Sequence, residues 1–207
     1  MKIIEQSHEI IQIPENPLFL IEKAGRTCYK SEERISEGSA KTFVKSLLTK
    51  QHESVLEHIS VSVRFITNRG VTHELVRHRL CAFSQESTRY VKYDKGNMEF
   101  IMPVWMKDWT PEQQDIWKAS LENSEAMYVK LMESGTKAEM AREVLPNSLK
   151  TEIVVTANLR QWRHIFKLRC HRSAHPQIKE LMINCCRNFQ ELIPVLFDDI
   201  VEEIVLD

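Results

Sequence analysis

The sequence predicts a mostly helical fold carrying a small sheet, and three observations predict it. Helix-start signals followed by apolar residues at helical spacing recur along the chain. The stretch Ser60-Val61-Ser62-Val63-Arg64-Phe65 alternates with period two, the mark of a half-buried strand. Only 5 Gly and 7 Pro occur in 207 residues, too few for a flexible linker, so residues 1–207 read as a single domain.

Each element follows from its own residues. Ile3, Ile11 and Ile13 place an edge strand or hairpin in the first thirteen positions. Asn16 precedes a helix from Pro17 to about Arg26, with Pro at the position where its missing N–H costs nothing. A helix from about Ser36 to Lys50 sets Phe43, Leu47 and Leu48 on one face. In the strand at 60–65, Val61, Val63 and Phe65 face the core. Gly70 to about Leu80 reads as a helix, Ala82 to Arg89 as a polar loop, and Met98 to Met102 as a short strand. Thr110-Pro111-Glu112-Gln113 is a capping box that opens a long helix to about Glu133, before Gly135. Thr136-x-x-Glu139 reads as a second capping box, for a short helix that Pro146 ends. Ile153-Val154-Val155 is a strand or the start of a helix, and Asn158 to about Arg169 is helical. Pro176 opens the last long helix, with Ile178, Leu181, Met182, Cys185, Phe189 and Leu192 on its apolar face and a kink at Pro194.

Composition narrows the function. Apolar residues at 43% and charged residues at 28% are ordinary for a soluble globular protein. With 28 Lys+Arg against 29 Asp+Glu the net charge is -1, which argues against a binder of long nucleic acid. No apolar run approaches the ~20 residues that span a bilayer. Glu5 and Glu9 interrupt any secretory leader. Cys28, Cys81, Cys170, Cys185 and Cys186 are odd in number and irregular in spacing, as in the reduced thiols of a cytoplasmic protein. The adjacent pair Cys185-Cys186 reads as core filler.

Against this neutral background two basic clusters stand out. One is Arg77-His78-Arg79 with Ser84, Ser87 and Arg89; the other is Arg160, Arg163, His164, Lys167, Arg169, His171 and Arg172, in a stretch from Ile153 to Lys179 that holds no acid. Guanidinium forks and hydroxyls match phosphate oxygens, so local positive charge in a neutral chain points to a small anion. A solvated helix face is the plainer alternative. If the helix at Gly70 runs through the first cluster, Arg77 and Arg79 point ~200° apart and cannot serve one small ligand. Glu74, one turn back, reaches Arg77 or His78. His52, Glu57 and His58, or His164, Cys170, His171 and His175, offer metal-binding atoms, but neither set has the spacing of a known zinc motif.

Arg77-His78-Arg79 followed after seven residues by Ser87, then Arg89 and Tyr90, resembles the signature of the flavin-dependent thymidylate synthases. The likeness extends in the family's order through His52-Glu53-Ser54, Glu57-His58, Arg142-x-x-Leu145-Pro146, Asn158-x-Arg160, Leu168-Arg169 and Ala174-His175-Pro176-Gln177. Ala82, Ser84, Glu74 and His164 stand where relatives often carry Ser, Asn, Gln and Asn.

The resemblance implies an α+β fold and the reductive methylation of dUMP to dTMP. It implies 5,10-methylenetetrahydrofolate as carbon donor, reduced FAD as hydride donor, NADPH as its reductant, and a homotetramer with shared active sites. Such sharing would let Arg77 and Arg79 serve different ligands. It implies that dUMP meets Glu74, Arg77, Gln85, Glu86, Ser87, Thr88, Arg89, Arg142 and Arg169. It implies that FAD meets His52, Ser54, Arg77, His78, Arg79, Gln85, Asn158, Arg160, His164 and His175. No Gly-x-Gly-x-x-Gly occurs, so the flavin is not held in a Rossmann turn. Uracil carbon 5 needs activation. A thiolate bonded at carbon 6 is one route; the preferred one is a cation such as Arg169 that favours the ring ionised at N3, without a protein nucleophile. Ser87 then reads as a ligand, and Cys81, beside Arg79, as a structural thiol. The alternatives are a catalytically inactive relative that binds dUMP and FAD, an RNA-binding module and a metal-dependent hydrolase.

Overall fold

The computed structural model describes residues 1–93 and 96–206. In chain order the elements are β1 (Lys2–Ile4), β2 (Ser7–Gln12), α1 (Pro17–Thr27), α2 (Ser39–Thr49), β3 (Ser60–Asn68), α3 (Arg69–Leu75), β4 (Ala82–Gln85) and β5 (Glu99–Ile101). Then come α4 (Pro111–Glu133), α5 (Ala138–Ala141), β6 (Lys150–Asn158), α6 (Leu159–Arg169), α7 (Pro176–Leu192) and α8 (Asp198–Leu206). The fold is mostly helical with small sheets, as the sequence predicts. None of the described helices is long and apolar enough to cross a membrane.

The larger sheet has the strand order β2-β3-β6-β4. Its two inner strands carry the alternation read from the sequence. Val61, Val63 and Phe65 of β3 are fully buried, as are Ile153 and Val155 of β6. β1 does not form a hairpin with β2. It pairs in parallel with β5, Ile3 opposite Phe100.

The chain divides into two compact units, and β3 and β6 give residues to both. The first unit comprises Met1–Ser7, Phe65–Arg77 and Phe83–Val154. Its core gathers Met98, Phe100, Leu121, Tyr128, Ala141 and Leu149. The α4 capping box forms as predicted: Thr110 accepts from the Gln113 amide at 3.3 Å, and the Gln113 side chain accepts from the Thr110 amide at 2.9 Å. The second unit comprises His8–Arg64, His78–Ala82 and the chain from Val155 onward. There α1 packs on α2, and α6 packs on α7, α8 and the 3₁₀ turn Glu53–His58. Trp162, Phe166, Phe189 and Phe197 interlock with ring centroids 5.1 to 5.7 Å apart. Trp162 Nε1 donates to the Val61 carbonyl at 3.0 Å. Cys185 and Cys186 are buried in this unit, and all five cysteines are free thiols.

Several boundaries differ from the sequence prediction, each for a local reason. α2 starts at Ser39, because Gly38 holds a left-handed φ of 79°. α3 stops at Leu75 and not at Leu80: Val76 is its C-cap, and the Arg77 amide turns back onto the Glu74 carbonyl. The polar loop at 82–89 opens with a strand: β4 takes the free edge of β6, overriding its weak propensity. The capping box at Thr136 does not form. α4 ends in a Schellman turn, with Gly135 at φ 88° donating to Met132 and the Thr136 amide donating to Leu131, both at 3.0 Å, so Thr136 belongs to the preceding helix. Lys137 takes the N-cap of α5 without a side-chain bond. Pro194 ends α7 instead of kinking it, with Ile193 at φ -131° and Val195 at φ 79° before α8 begins.

Candidate functional site

The early end of α3 changes the geometry of the Arg77-His78-Arg79 motif. The three residues lie in the turn and extended chain beyond the helix, so the ~200° divergence of a continuous helix does not apply. The Arg77 amide donates to the Glu74 carbonyl at 3.4 Å. Arg77 is exposed and belongs to the first unit. His78, buried, and Arg79, exposed, belong to the second.

In the second unit α6 and its N-cap carry four of the predicted groups, Asn158, Arg160, His164 and Arg169. Asn158 caps it, its side chain accepting from the Gln161 amide at 2.8 Å. Arg160 is exposed and donates to Glu57 at 2.5 Å, with Glu53 at 3.9 Å. Arg163, 3% exposed, is held by Asp199 through both terminal nitrogens at 2.8 and 2.6 Å, by Glu53 at 3.4 Å and by the Leu196 carbonyl. It clamps α8 to α6. At the last position of α6, Arg169 Nε donates to His78 Nε2 at 3.0 Å. His164 meets the His78 ring edge-on at 6.0 Å. Burial, the Arg169 charge and His164 together push the His78 pKa down to about 4, so the ring is neutral. Burial, partly offset by a hydrogen bond from Gln161, pushes Cys81 up to about 11, which disfavours the thiolate form.

Two cavities open in this unit. One, of about 550 Å³, is lined by Glu53, Glu57, Asn158, Arg160, His164 and Lys167, among others. The other, of about 570 Å³, is lined by Arg26, Arg34, Phe43, Lys50, His52 and Ser54, among others. The residues carried over for FAD are therefore split: Asn158, Arg160 and His164 share one cavity, and His52 and Ser54 the other. His175 lines neither. It caps α7, its Nδ1 accepting from the Gln177 amide at 3.3 Å. Arg26, Arg34 and Lys50 escaped the sequence reading because they lie outside the motif blocks, scattered along α1, α2 and their connections.

In the first unit the loop after β4 is built from polar contacts. Gln85 donates to Thr72 at 2.9 Å and to Thr151 at 3.3 Å. Glu86 accepts from Tyr93 at 2.9 Å and pairs with Lys150 at 3.4 Å. Burial and Glu86 push the Tyr93 pKa upward. Burial works against the Lys150 ammonium, but Glu152 and Glu86 prevail and its pKa rises. Ser87 Oγ accepts from the Arg89 amide at 3.3 Å, a turn role. Thr88 is buried and accepts from Arg142 at 3.3 Å. Arg89 is exposed, near Glu139 at 3.6 Å and over the Tyr90 ring. Thr88 and Arg142 line a cavity of about 270 Å³ with Arg69 and His73, two residues that no motif had flagged. Glu74 is half-buried at the end of α3. Arg169, the remaining residue predicted for dUMP, lies in the second unit. Among the described residues no group of three or more His, Cys, Asp or Glu is placed to hold a metal ion.

Residues 9–195 match the family described as thymidylate synthase complementing protein. A flavin-dependent thymidylate synthase of Mycolicibacterium gilvum is 38% identical over 199 residues, covering 87% of this chain and 78% of that one. Another, from Geobacter sulfurreducens, is 31% identical and covers 92% of this chain and 84% of that one. Among solved structures, the UMP/dUMP methylase PolB from Streptomyces cacaoi, bound with 5-Br dUMP, superposes with a TM-score of 0.81. It is 25% identical, and the match covers 96% of each chain. The motif blocks, the fold and these relatives agree, and the chain belongs to the flavin-dependent thymidylate synthase family.

Proposed function

We propose that the chain methylates dUMP to dTMP, with 5,10-methylenetetrahydrofolate giving the carbon and NADPH the reducing equivalents. The observation that carries this reading is the family match from residue 9 to 195, which runs through every predicted ligand residue. The methylase that shares the fold binds a brominated dUMP, which supports dUMP as the substrate.

Arg169 is the group proposed to act on the uracil. A guanidinium beside N3 and its carbonyls favours the N3-ionised ring and so raises the nucleophilicity of carbon 5. Glu74, Arg77, Gln85, Glu86, Ser87, Thr88, Arg89 and Arg142 are the proposed dUMP contacts, with the arginines answering the phosphate dianion. Ser87 serves as a ligand, consistent with a hydroxyl engaged by the Arg89 amide.

FAD, when bound, supplies the hydride and is refilled from NADPH. Most of the residues proposed for it lie in the second unit; Arg77 and Gln85 lie in the first. One cavity of the second unit holds Arg160, and the other sets Arg26, Arg34 and Lys50 beside Phe43 and Tyr29, the mix of cations and flat rings that a pyrophosphate joined to ring systems calls for. His52, Ser54, Arg77, Arg79, Gln85, Asn158, Arg160, His164 and His175 are the proposed contacts; His78, which the motif also assigns to FAD, is bonded to Arg169 instead. We take residues 1–207 as one catalytic domain, working in the cytoplasm as a homotetramer. The chain crosses between the two units at residues 7/8, 64/65, 77/78, 82/83 and 154/155, which supports treating them as one folding entity.

The visible spectrum of the purified protein tests the reading. Flavin bands that shift on adding dUMP, followed by dTMP formation with folate and NADPH, are the expected result. A protein that takes up neither FAD nor dUMP would overturn it. Binding of both without turnover would mark a catalytically inactive relative.

A further inference from the structure

We propose that His78 is a positioning residue for the methylation: its neutral imidazole accepts a hydrogen bond from Arg169 and fixes the guanidinium that activates the uracil. The proposal rests on the reading of Arg169 given above. It assigns His78 a task different from the flavin contact that the motif alone implies.

The geometry has three parts. Arg169 closes α6, where the helix no longer constrains its long side chain, and Nε donates to His78 Nε2 at 3.0 Å. A bond made through Nε fixes the guanidinium plane and does not spend the two terminal nitrogens on His78. The His78 ring is itself fixed: it is 6% exposed, and His164, one turn and a half earlier on α6, meets it edge-on at 6.0 Å.

Chemistry explains why the partner is an imidazole. A carboxylate here would hold Arg169 more tightly but would cancel the charge that favours the ionised uracil. A neutral acceptor orients the cation and leaves its charge intact. Acceptance at Nε2 requires the proton on Nδ1, so the structure specifies one tautomer. A protonated ring has no acceptor at Nε2 and would repel Arg169.

The test compares His78→Leu, His78→Gln, Arg169→Lys and the double variant His78→Leu/Arg169→Lys in the FAD-loaded enzyme, together with ¹⁵N-histidine NMR of the wild type. The Nδ1–H tautomer is expected at neutral pH. His78→Leu is expected to retain flavin and lower kcat by roughly tenfold to a hundredfold, with a smaller change in KM for dUMP. Glutamine offers an acceptor oxygen and is expected to restore the larger share of kcat. The double variant should be no slower than Arg169→Lys alone, because His78 acts through Arg169.

An Nε2–H tautomer, a His78→Leu enzyme with wild-type kcat, or additive losses in the double variant would overturn the proposal. Loss of flavin from both His78 variants would return the residue to a cofactor contact and overturn it too. If His78→Leu does not fold, the tautomer and the glutamine variant decide. Wild-type turnover in Arg169→Lys would instead refute the role of Arg169, a failure visible without any change at His78.

Discussion

A buried histidine kept neutral beside an arginine links stability to acidity. His78 has a folded pKa of about 4 against 6.5 in the unfolded chain, through burial first and then Arg169 and His164. Between those values the unfolded state binds the extra proton. The stability contributed at this site is therefore complete above pH 6.5 and is lost as the pH falls toward 4. Denaturation at stepped pH should show this decline, and His78→Gln should flatten it. A second residue-scale prediction concerns Arg163. Asp199→Ala should cost about 2–3 kcal/mol, seen as a drop in Tm of roughly 5–10 °C, because it strips a buried guanidinium of two hydrogen bonds. Thiol reactivity follows burial: iodoacetamide should label exposed Cys28 well before Cys81, whose pKa is pushed up to about 11. Arg163 also shows where reading residues along the chain falls short. Its stretch lacks acids in sequence, yet Glu53, Glu57 and Asp199 reach it from elsewhere in the fold. A sequence shows local charge; only the fold shows which distant acids answer it.

At the scale of elements, legibility followed the strength of the local signal. Thr110 and Gln113 specify their helix start by side-chain bonds made within four residues, and the structure has both. Asn158 likewise marks the start of α6. Replacing Thr110 by Ala should cost about 1 kcal/mol in denaturant unfolding, the usual worth of an N-cap. Thr136 carries the same type of signal three residues before Glu139 and makes no cap, because the Schellman turn at Gly135 has already claimed its amide. Ala82-Phe83-Ser84-Gln85 has too little strand propensity to be read alone and is ordered by the edge of β6. The same limit applies to the site. The motif residues were legible by resemblance, whereas Arg69, His73, Arg26, Arg34 and Lys50 become visible only once cavities exist.

For the whole molecule, the interleaved chain path makes a specific demand. If residues 1–207 fold as one domain, both units should unfold together. Trp105, Trp109 and Trp117 report on the first unit and Trp162 on the second. Trp162→Phe, and separately the triple Trp→Phe variant at the other three positions, should give coincident fluorescence midpoints once each is referred to its own circular dichroism transition. Separated midpoints within one variant would show that the units melt independently.

The Glu57 contact of Arg160 has a bearing on ligand entry. An arginine proposed for an anionic cofactor rests on a carboxylate of its own chain, at 2.5 Å. Loading would then be an exchange: the incoming phosphate evicts a tenant, and the evicted glutamate swings into water. Because both groups are exposed, the eviction is cheap. Removing it by Glu57→Gln should tighten FAD binding a few-fold at low ionic strength, with the gain fading as salt screens the rivalry.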